Sequence, residues 1–452
     1  MMLDKVHELY ESRNYPPMSH PLADPAVSAV AARMGGLLAP VPRQARILEI
    51  GCSSGHHLIP LALRWPETRC TGIDLSERAI EDARARASVA GCGNIAFSAV
   101  DLRDYQPEGG PFDYIIAHGF FSWVPDDVKA VLLEFCRSNL SPSGVAIISF
   151  NVESGWRARF PVIQKVRAIQ QAGGGDVVAA LEILKETVRS SESELTVIDD
   201  MLVKGSVILS FDDFAPVNDP WALDRFTRAA ARAGLRWLGE SDPGGNVPVS
   251  LSVARVQEIK RSAADPLGFQ MAMDEAAGRT FRSGLLCRDD APVSDLSPEI
   301  LAEFCLRAGS VPVDPEALQI YQAIRSFAPG CLPLAALRDA LPGQPPGKLA
   351  PQIFNGITRG WIRPRIEAVR YDAEPPGFPK LDRFRLLCAR EELPLVDAWH
   401  SPCMFPLGQF PILAAMDGSR SLDELKKLAG HLAPELDFER WLRHLAWRGM
   451  FA

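Results

Sequence analysis

Long apolar runs are missing from this chain: nowhere do its 452 residues approach the roughly 18 consecutive apolar positions that a bilayer crossing needs. Membrane insertion is therefore not expected. The opening Met1-Met2-Leu3-Asp4-Lys5 lacks the basic-then-apolar build of a secretory signal. Cysteine is sparse and unpatterned, nine residues with no C-x-x-C pair, as suits incidental thiols in a reducing compartment. A cytoplasmic location follows as the expectation. The eight histidines show no zinc-ligand spacing, and the adjacent His56-His57 is a poor chelate, so no metal is expected. Excess positive charge is also missing: the formal net charge of −8 argues against nucleic acid as the main partner. What remains, 47% hydrophobic and 23% charged, is an ordinary soluble globular composition, long enough for two to three domains of about 150 residues.

The chain is organised around Arg46-Ile47-Leu48-Glu49-Ile50-Gly51-Cys52-Ser53-Ser54-Gly55-His56-His57, with a helix-like segment from Leu58 to Trp65 after it. Strand, tight loop of small residues and helix predict the first crossover of a doubly wound α/β sheet. The loop then lies at the carboxyl edge, where such sheets bind ligands. Gly51 and Gly55 lack a Cβ, so the backbone can turn sharply and a ligand can lie against it. No Gly-Lys-Ser/Thr closes the loop, which excludes a P-loop. Ser53 stands at the second glycine place of G-x-G-x-x-G and His56 follows Gly55 directly, so the dinucleotide fingerprint is absent too. The loop suits a nucleoside without a pyrophosphate.

Four further strands end in polar residues on the same edge. Arg69 to Asp74 predicts a second strand, and its terminal carboxylate can accept both ribose hydroxyls of a nucleoside. Ser76 reads as the N-cap of a helix running to Ala90. Asn94 to Val100 predicts a third strand ending at Asp101, a candidate for an adenine amino group. Phe112 to Ala117 ends at His118-Gly119, and Gly144 to Phe150 ends at Asn151. Leu235 to Glu240 and Phe281 to Arg288 predict a sixth and a seventh strand.

Outside the strands, residues 1–45 form an N-terminal arm with an amphipathic segment, Leu3 to Glu11, and a Pro-rich stretch around Tyr15 and His20; lid and surface arm fit it equally. The α/β unit would span 46–290, with mainly helical insertions at about 156–234 and 241–280 roofing the carboxyl edge. Gly173-Gly174-Gly175 breaks the first insertion. From 296 to 452 short helices broken by Pro and Gly carry a faint repeat: Leu334–Leu341 with Leu422–Leu428, and Ile353–Ile362 with Trp441–Phe451. Tandem winged-helix-like modules are the expectation there, with balanced charge that favours an interaction or scaffold role over DNA.

The spacing of these strand ends resembles class I S-adenosylmethionine (SAM)-dependent methyltransferases. The longer pattern resembles the bacterial branch carrying a methyltransferase regulatory domain, whose characterised members methylate lysines of outer-membrane proteins. The matching stretches include Ser19-His20-Pro21, Leu48 to Gly55, Leu58-Ile59-Pro60, Gly72 to Ser76, Phe112 to Gly119, Phe121 to Pro125, Asn218-Asp219-Pro220 and Leu285 to Arg288. The resemblance implies a seven-stranded Rossmann-like sheet with SAM as cofactor. Glu49, Gly51, Cys52, Ser53 and Gly55 would form the methionine-side loop, Asp74 with Leu75 the ribose site, and Asp101-Leu102 the adenine border. His118 would face the transferred methyl, contacting cofactor and nucleophile, and Trp123 with Phe120 and Phe121 would wall the acceptor. Those aromatics equally suit the buried start of a helix, and His118 a satisfied loop histidine. Tyr15, His20, Asn151, Trp156, Asp212 and Asp213 are candidate acceptor contacts. Three departures from the family, His56-His57, Phe211 and Leu22-Ala23-Asp24-Pro25, bear on the acceptor more than on the chemistry. A lysine-bearing protein is the leading acceptor, a small molecule or peptide the alternative, and a non-enzymatic SAM-binding protein the third reading. A homodimer stays open.

Overall fold

A computed structural model describes residues 15–187, 192–294, 303–341 and 346–452. Seven strands, β1 (Arg46–Ile50), β2 (Arg69–Asp74), β3 (Ile95–Ala99), β4 (Phe112–Ala117), β5 (Leu140–Asn151), β6 (Leu235–Glu240) and β7 (Phe281–Arg288), form one sheet. Their order is β3-β2-β1-β4-β5-β7-β6. Neighbours among β1 to β5 run parallel, and β7 lies antiparallel between β5 and β6. The central strands are buried almost throughout, as a sheet covered on both faces requires. The sequence expectation of seven strands holds. β5 begins at Leu140 rather than Gly144, because a register shift opposite Phe112 and Tyr114 absorbs the extra residues.

Helices follow β1, β2, β4 and β5, whereas β3 leads to β4 without one. The helix Glu77–Ala90 starts at Ser76, whose hydroxyl accepts from the Ala79 N–H, and stops at left-handed Gly91. Between β5 and β6 the chain forms the helices Glu153–Trp156, Arg159–Gln171, Val177–Thr187 and Glu192–Phe211, with a small apolar core of their own around Val162, Leu181 and Met201. The last of these is interrupted at Gly205, whose backbone (φ 74, ψ 164) is not helical. Between β6 and β7 lie the helices Val253–Ser262 and Pro266–Ala277.

The Ala-rich helix Pro25–Met34 was not foreseen: its composition is buried on nearly every side, so no amphipathic stripe marks it. Asp24 caps it and is itself buried, with ion pairs to Arg64 at 2.9 Å and Arg365 at 3.5 Å. The amphipathic segment expected at Leu3–Glu11 lies outside the described residues.

The C-terminal region is mainly helical. Its first half pairs β8 (Cys305–Ala308) with β9 (Leu332–Pro333) and β10 (Ile362–Arg365) around the helices Pro315–Arg325, Leu334–Ala340 and Pro346–Thr358. In the second half the helices Leu422–Leu432 and Phe438–Trp447 occupy the corresponding places. Gly360 and Gly449 both take left-handed backbones after the last helix, before a strand or bridge. One apolar core runs from Ile47 and Trp65 in the sheet layer through Ala87 into Phe384, Leu395 and Leu445. The helix Arg383–Arg390 packs on Glu77–Ala90, so the C-terminal region leans directly on the loop-bearing side of the sheet. No described helix is long and apolar enough to cross a membrane.

Candidate active site

At the carboxyl edge of the sheet, under the inserted helices, lies a cavity of about 450 Å³. Its sheet-edge end is lined by Glu49, Gly51, Cys52, Ser53, Asp74, Leu75, Asp101 and Leu102, all anticipated from the sequence. Asp74 anchors this end: its two oxygens accept the N–H of Ser53 at 2.8 Å and of Ser76 at 3.0 Å, tying loop to helix cap. Ser53 itself is held at a positive φ of 46°, a non-glycine left-handed residue of the kind that collects at ligand clamps. Burial, with the charge of Asp74, pushes the Glu49 carboxyl well above its ordinary range. The Asp101 carboxylate is bound by Arg103 through its backbone and guanidinium, which holds it below its usual range.

Gly55 needs a different account from the one its motif suggests. It does not line the cavity; a Cβ there would stand 2.8 Å from the Phe97 ring and 3.1 Å from Ile59. Its bare Cα serves packing of the loop on the sheet, not ligand approach.

The roof end is lined by Tyr15, His20, His118, Trp123, Asn151, Trp156 and Asp212 as anticipated, and also by Arg159, Lys204, Phe211 and Phe281. Tyr15 and Phe211 meet edge to face at 5.4 Å, and burial beside Asp212 pushes the phenol up to about 12. Asn151 is oriented by Asn218 at 3.0 Å, and the Trp156 indole donates to Thr280 O at 3.0 Å. Two anticipated contacts are corrected. Phe121 is fully buried among Phe150, Trp221 and Phe226, because the short helical turn after β4 aims it at the core; Phe120 lines the cavity instead. Asp213 is buried off the cavity, with Arg159 at 2.8 Å and Lys204 at 2.8 Å. Lys204 also reaches Asp212 at 3.4 Å, and burial raises the Asp212 carboxyl against the pull of Lys204. Arg159 was missed because its partners Asp200 and Asp213 lie far along the chain, and Lys204 because the break at Gly205 decides where its side chain goes; charged residues amid apolar helix faces were the one available signal.

A row of histidines crosses the middle of the site. The His118 and His20 rings lie 4.2 Å apart between centres, tilted by 30°. The His20 N–H donates to His57 Nδ1 at 3.1 Å, and His400 Nε2 lies 2.8 Å from that same Nδ1. Beside them His56 Nε2 donates to Pro394 O at 2.8 Å. Burial holds all five imidazoles below their ordinary value, His20 and His56 at about 4. Among the described residues no three His, Cys, Asp or Glu side chains are grouped to hold a metal ion. Five buried polar atoms on cavity-lining residues have no protein partner: Glu49 Oε2, Ser54 Oγ, His56 Nδ1, His57 Nε2 and His118 Nδ1. Buried polar atoms are rarely left unpaired in a protein, so these five fit a polar ligand.

Residues 47–144 match the methyltransferase domain family, and residues 206–288 match the family described as a predicted methyltransferase regulatory domain. An uncharacterized protein of Rickettsia prowazekii is 27% identical over 329 residues, 68% of this chain and 58% of that one. Trans-aconitate 2-methyltransferase of Streptomyces avermitilis is 36% identical over 113 residues, 24% of this chain and 41% of that one. The structure of PKMT2 from Rickettsia typhi in complex with AdoHcy has a TM-score of 0.81 at 18% identity, covering 97% of this chain and 99% of that one. At this identity the likeness shows the fold. The chain spans 58%, 62% and 50% of the length of three curated relatives it matches.

The seven-stranded sheet is the Rossmann-like fold of class I SAM-dependent methyltransferases. To this the chain adds, over residues 206–288, the match to the methyltransferase regulatory domain. The cofactor fits the cavity's chemistry: the unpaired Glu49 oxygen suits its ammonium, and the apolar Leu75 and Leu102 suit the faces of a nucleoside.

Proposed function

We infer that the protein N-methylates lysine side chains of a protein acceptor. The observation that supports this best is the roof end of the cavity, where one carboxylate, Asp212, sits within aromatic walls made by Tyr15, Trp123, Trp156, Phe211 and Phe281. Aromatic faces attract an ammonium and tolerate its methylated product, and a carboxylate draws it inward. The resemblance of residues 19–288 to lysine methyltransferases of outer-membrane proteins points the same way.

On this reading Asp74 holds the ribose, Asp101 and Leu102 border the adenine, and Glu49 with Gly51, Cys52 and Ser53 cradles the methionine end. When bound, SAM supplies a methyl on a sulfonium, whose C–S bond breaks as the N–C bond to the acceptor forms. A free lysine, with a pKa near 10.4, is only about one part in a thousand neutral at pH 7.4. The aromatic walls exclude water and lower that pKa, and Asp212 takes the proton that leaves the nitrogen. Neutral His118 accepts a hydrogen bond from the amine and aligns it, with Trp123 limiting its approach. Alignment at about 3–3.5 Å is worth as much as roughly 7–11 kcal/mol of barrier. The insertions at 156–234 and 241–280 select the acceptor, and the winged-helix-like C-terminal region serves as an interaction unit.

Methyl-labelled SAM, a panel of bacterial outer-membrane proteins and peptide mass spectrometry test this. Methyl-lysine is expected with the wild type, with kcat lower by about 10²–10⁴ in Asp212→Asn. A second reading, transfer to a small carboxylic acid, is favoured by Arg159 and Lys204 on the same cavity wall. Label in small acids with none in protein would replace the lysine reading.

A further inference from the structure

The histidine row does more than fill space. His57 Nδ1 accepts the His20 backbone N–H, and a neutral imidazole that accepts at Nδ1 carries its proton on Nε2. His400 must then be the donor in the 2.8 Å contact, through its own Nε2–H. Two donors from outside the loop therefore converge on one lone pair and fix both the ring plane and the tautomer of His57. His400 reaches it from a left-handed backbone, φ 63, a costly conformation for a side-chain-bearing residue.

The result is a buried N–H donor, His57 Nε2, on a cavity-lining residue and without a protein partner. Glu49 Oε2, on another residue of the same cavity, is its unpaired carboxylate acceptor. An orphan donor and an orphan acceptor on residues of one cavity match a zwitterion, and the amino-acid end of SAM is one: an ammonium for Glu49 and a carboxylate for an N–H.

We propose that His57 Nε2–H anchors the carboxylate of the cofactor's methionine end, and that His400 of the C-terminal region is the positioning residue that holds His57 in its donor form. The proposal rests on this cavity being the SAM site. It makes the C-terminal region, more than three hundred residues along the chain from the loop, a working part of the cofactor site.

Two ligands tell the anchor from mere packing. S-adenosylhomocysteine carries the amino-acid end; 5′-methylthioadenosine has the same nucleoside and sulfur without it. In calorimetric titrations of the full chain, His57→Leu is expected to weaken S-adenosylhomocysteine by about 10- to 100-fold, the loss for a hydrogen bond to a charged group. Methylthioadenosine should stay within about twofold, which also certifies the fold. His400→Gly accepts the left-handed backbone and removes the donor, and should reproduce the selective loss in weaker form. His400→Gln, which keeps a donor, should recover most of it. Equal weakening of both ligands, or unchanged affinity for both, would overturn the anchor. Wild-type protein that binds neither ligand would overturn the cofactor reading of the cavity itself.

Discussion

Asp74 and His118 show how far a residue type at a strand end can be read before its surroundings are known. Asp74 joins two jobs, since its carboxylate ties Ser53 to the Ser76 cap while lining the cavity. Asp74→Ala should therefore weaken SAM by about 1.5–3 kcal/mol in calorimetry. Unchanged affinity in a folded variant would remove Asp74 from the site. His118 is the opposite case. Its position after β4 suggests a base, yet burial, with His20 and His57 beside it, keeps the imidazole far below its ordinary value. A group already neutral throughout the working pH range has no acidic limb to contribute near 6.5. His118→Asn should keep kcat within about tenfold and leave the pH–rate profile unchanged in shape, whereas a general base would cost 10²–10⁴. A limb near 6.5 that vanishes in the variant would restore His118 as the base.

At the scale of elements, the roof depends on one backbone break. Gly205 interrupts the helix Glu192–Phe211 at φ 74, ψ 164, between Lys204 and the turn that delivers Phe211 and Asp212 to the cavity. No atom lies within 4 Å of a Cβ built there, so Gly205→Ala meets no clash and only the conformation resists it. Such a backbone costs a side-chain-bearing residue about 1–3 kcal/mol. The helix should straighten to avoid that cost and carry Asp212 off the acceptor wall. The expected outcome is kcat/KM for the acceptor reduced at least about tenfold with SAM affinity unchanged; unaltered kcat/KM would show that the kink does not set the roof.

The sheet strands were legible because each carries a short apolar run ending in a polar residue, a local signal. The loop and Asp74 followed from it. What escaped the sequence is tertiary: Phe121 and Phe120 differ only in which one the turn points inward, and Asp213 and Asp212 only in which one Arg159 claims. Gly55 was legible as a glycine, but its neighbour Phe97 decides what the glycine is for. The helix Pro25–Met34 escaped for the reverse reason, being buried on too many sides to show a period.

For the whole molecule, the histidines predict how it responds to acid. His20, His56, His57, His118 and His400 come from the N-terminal arm, the loop, the end of β4 and the C-terminal region, and they meet at one buried junction. Burial is the largest cause of their lowered values, with Arg64, Arg86 and Arg365 and the other imidazoles adding to it; Asp24 opposes at His57 and the hydrogen bond to Pro394 O at His56. In the unfolded chain each returns to about 6.5. The folded values are depressed, so unfolding takes up protons between the folded values and 6.5. Stability is fully present above about 6.5 and is lost as pH falls toward about 4 and below. Each imidazole that stays neutral in the folded chain adds up to about 1.4 kcal/mol of lost stability per pH unit across that window. The expected outcome is a Tm that is flat from pH 9 to 7 and falls steeply between 6.5 and 4. The loss should begin at the junction itself, since protonated His57 can no longer accept from His20 and His400. His400→Gln removes one titrating group while keeping a donor, so its Tm should fall less steeply over the same window. A wild-type Tm unchanged between pH 7 and 5 would mean that the histidines are not buried neutral, and the junction would need a different account.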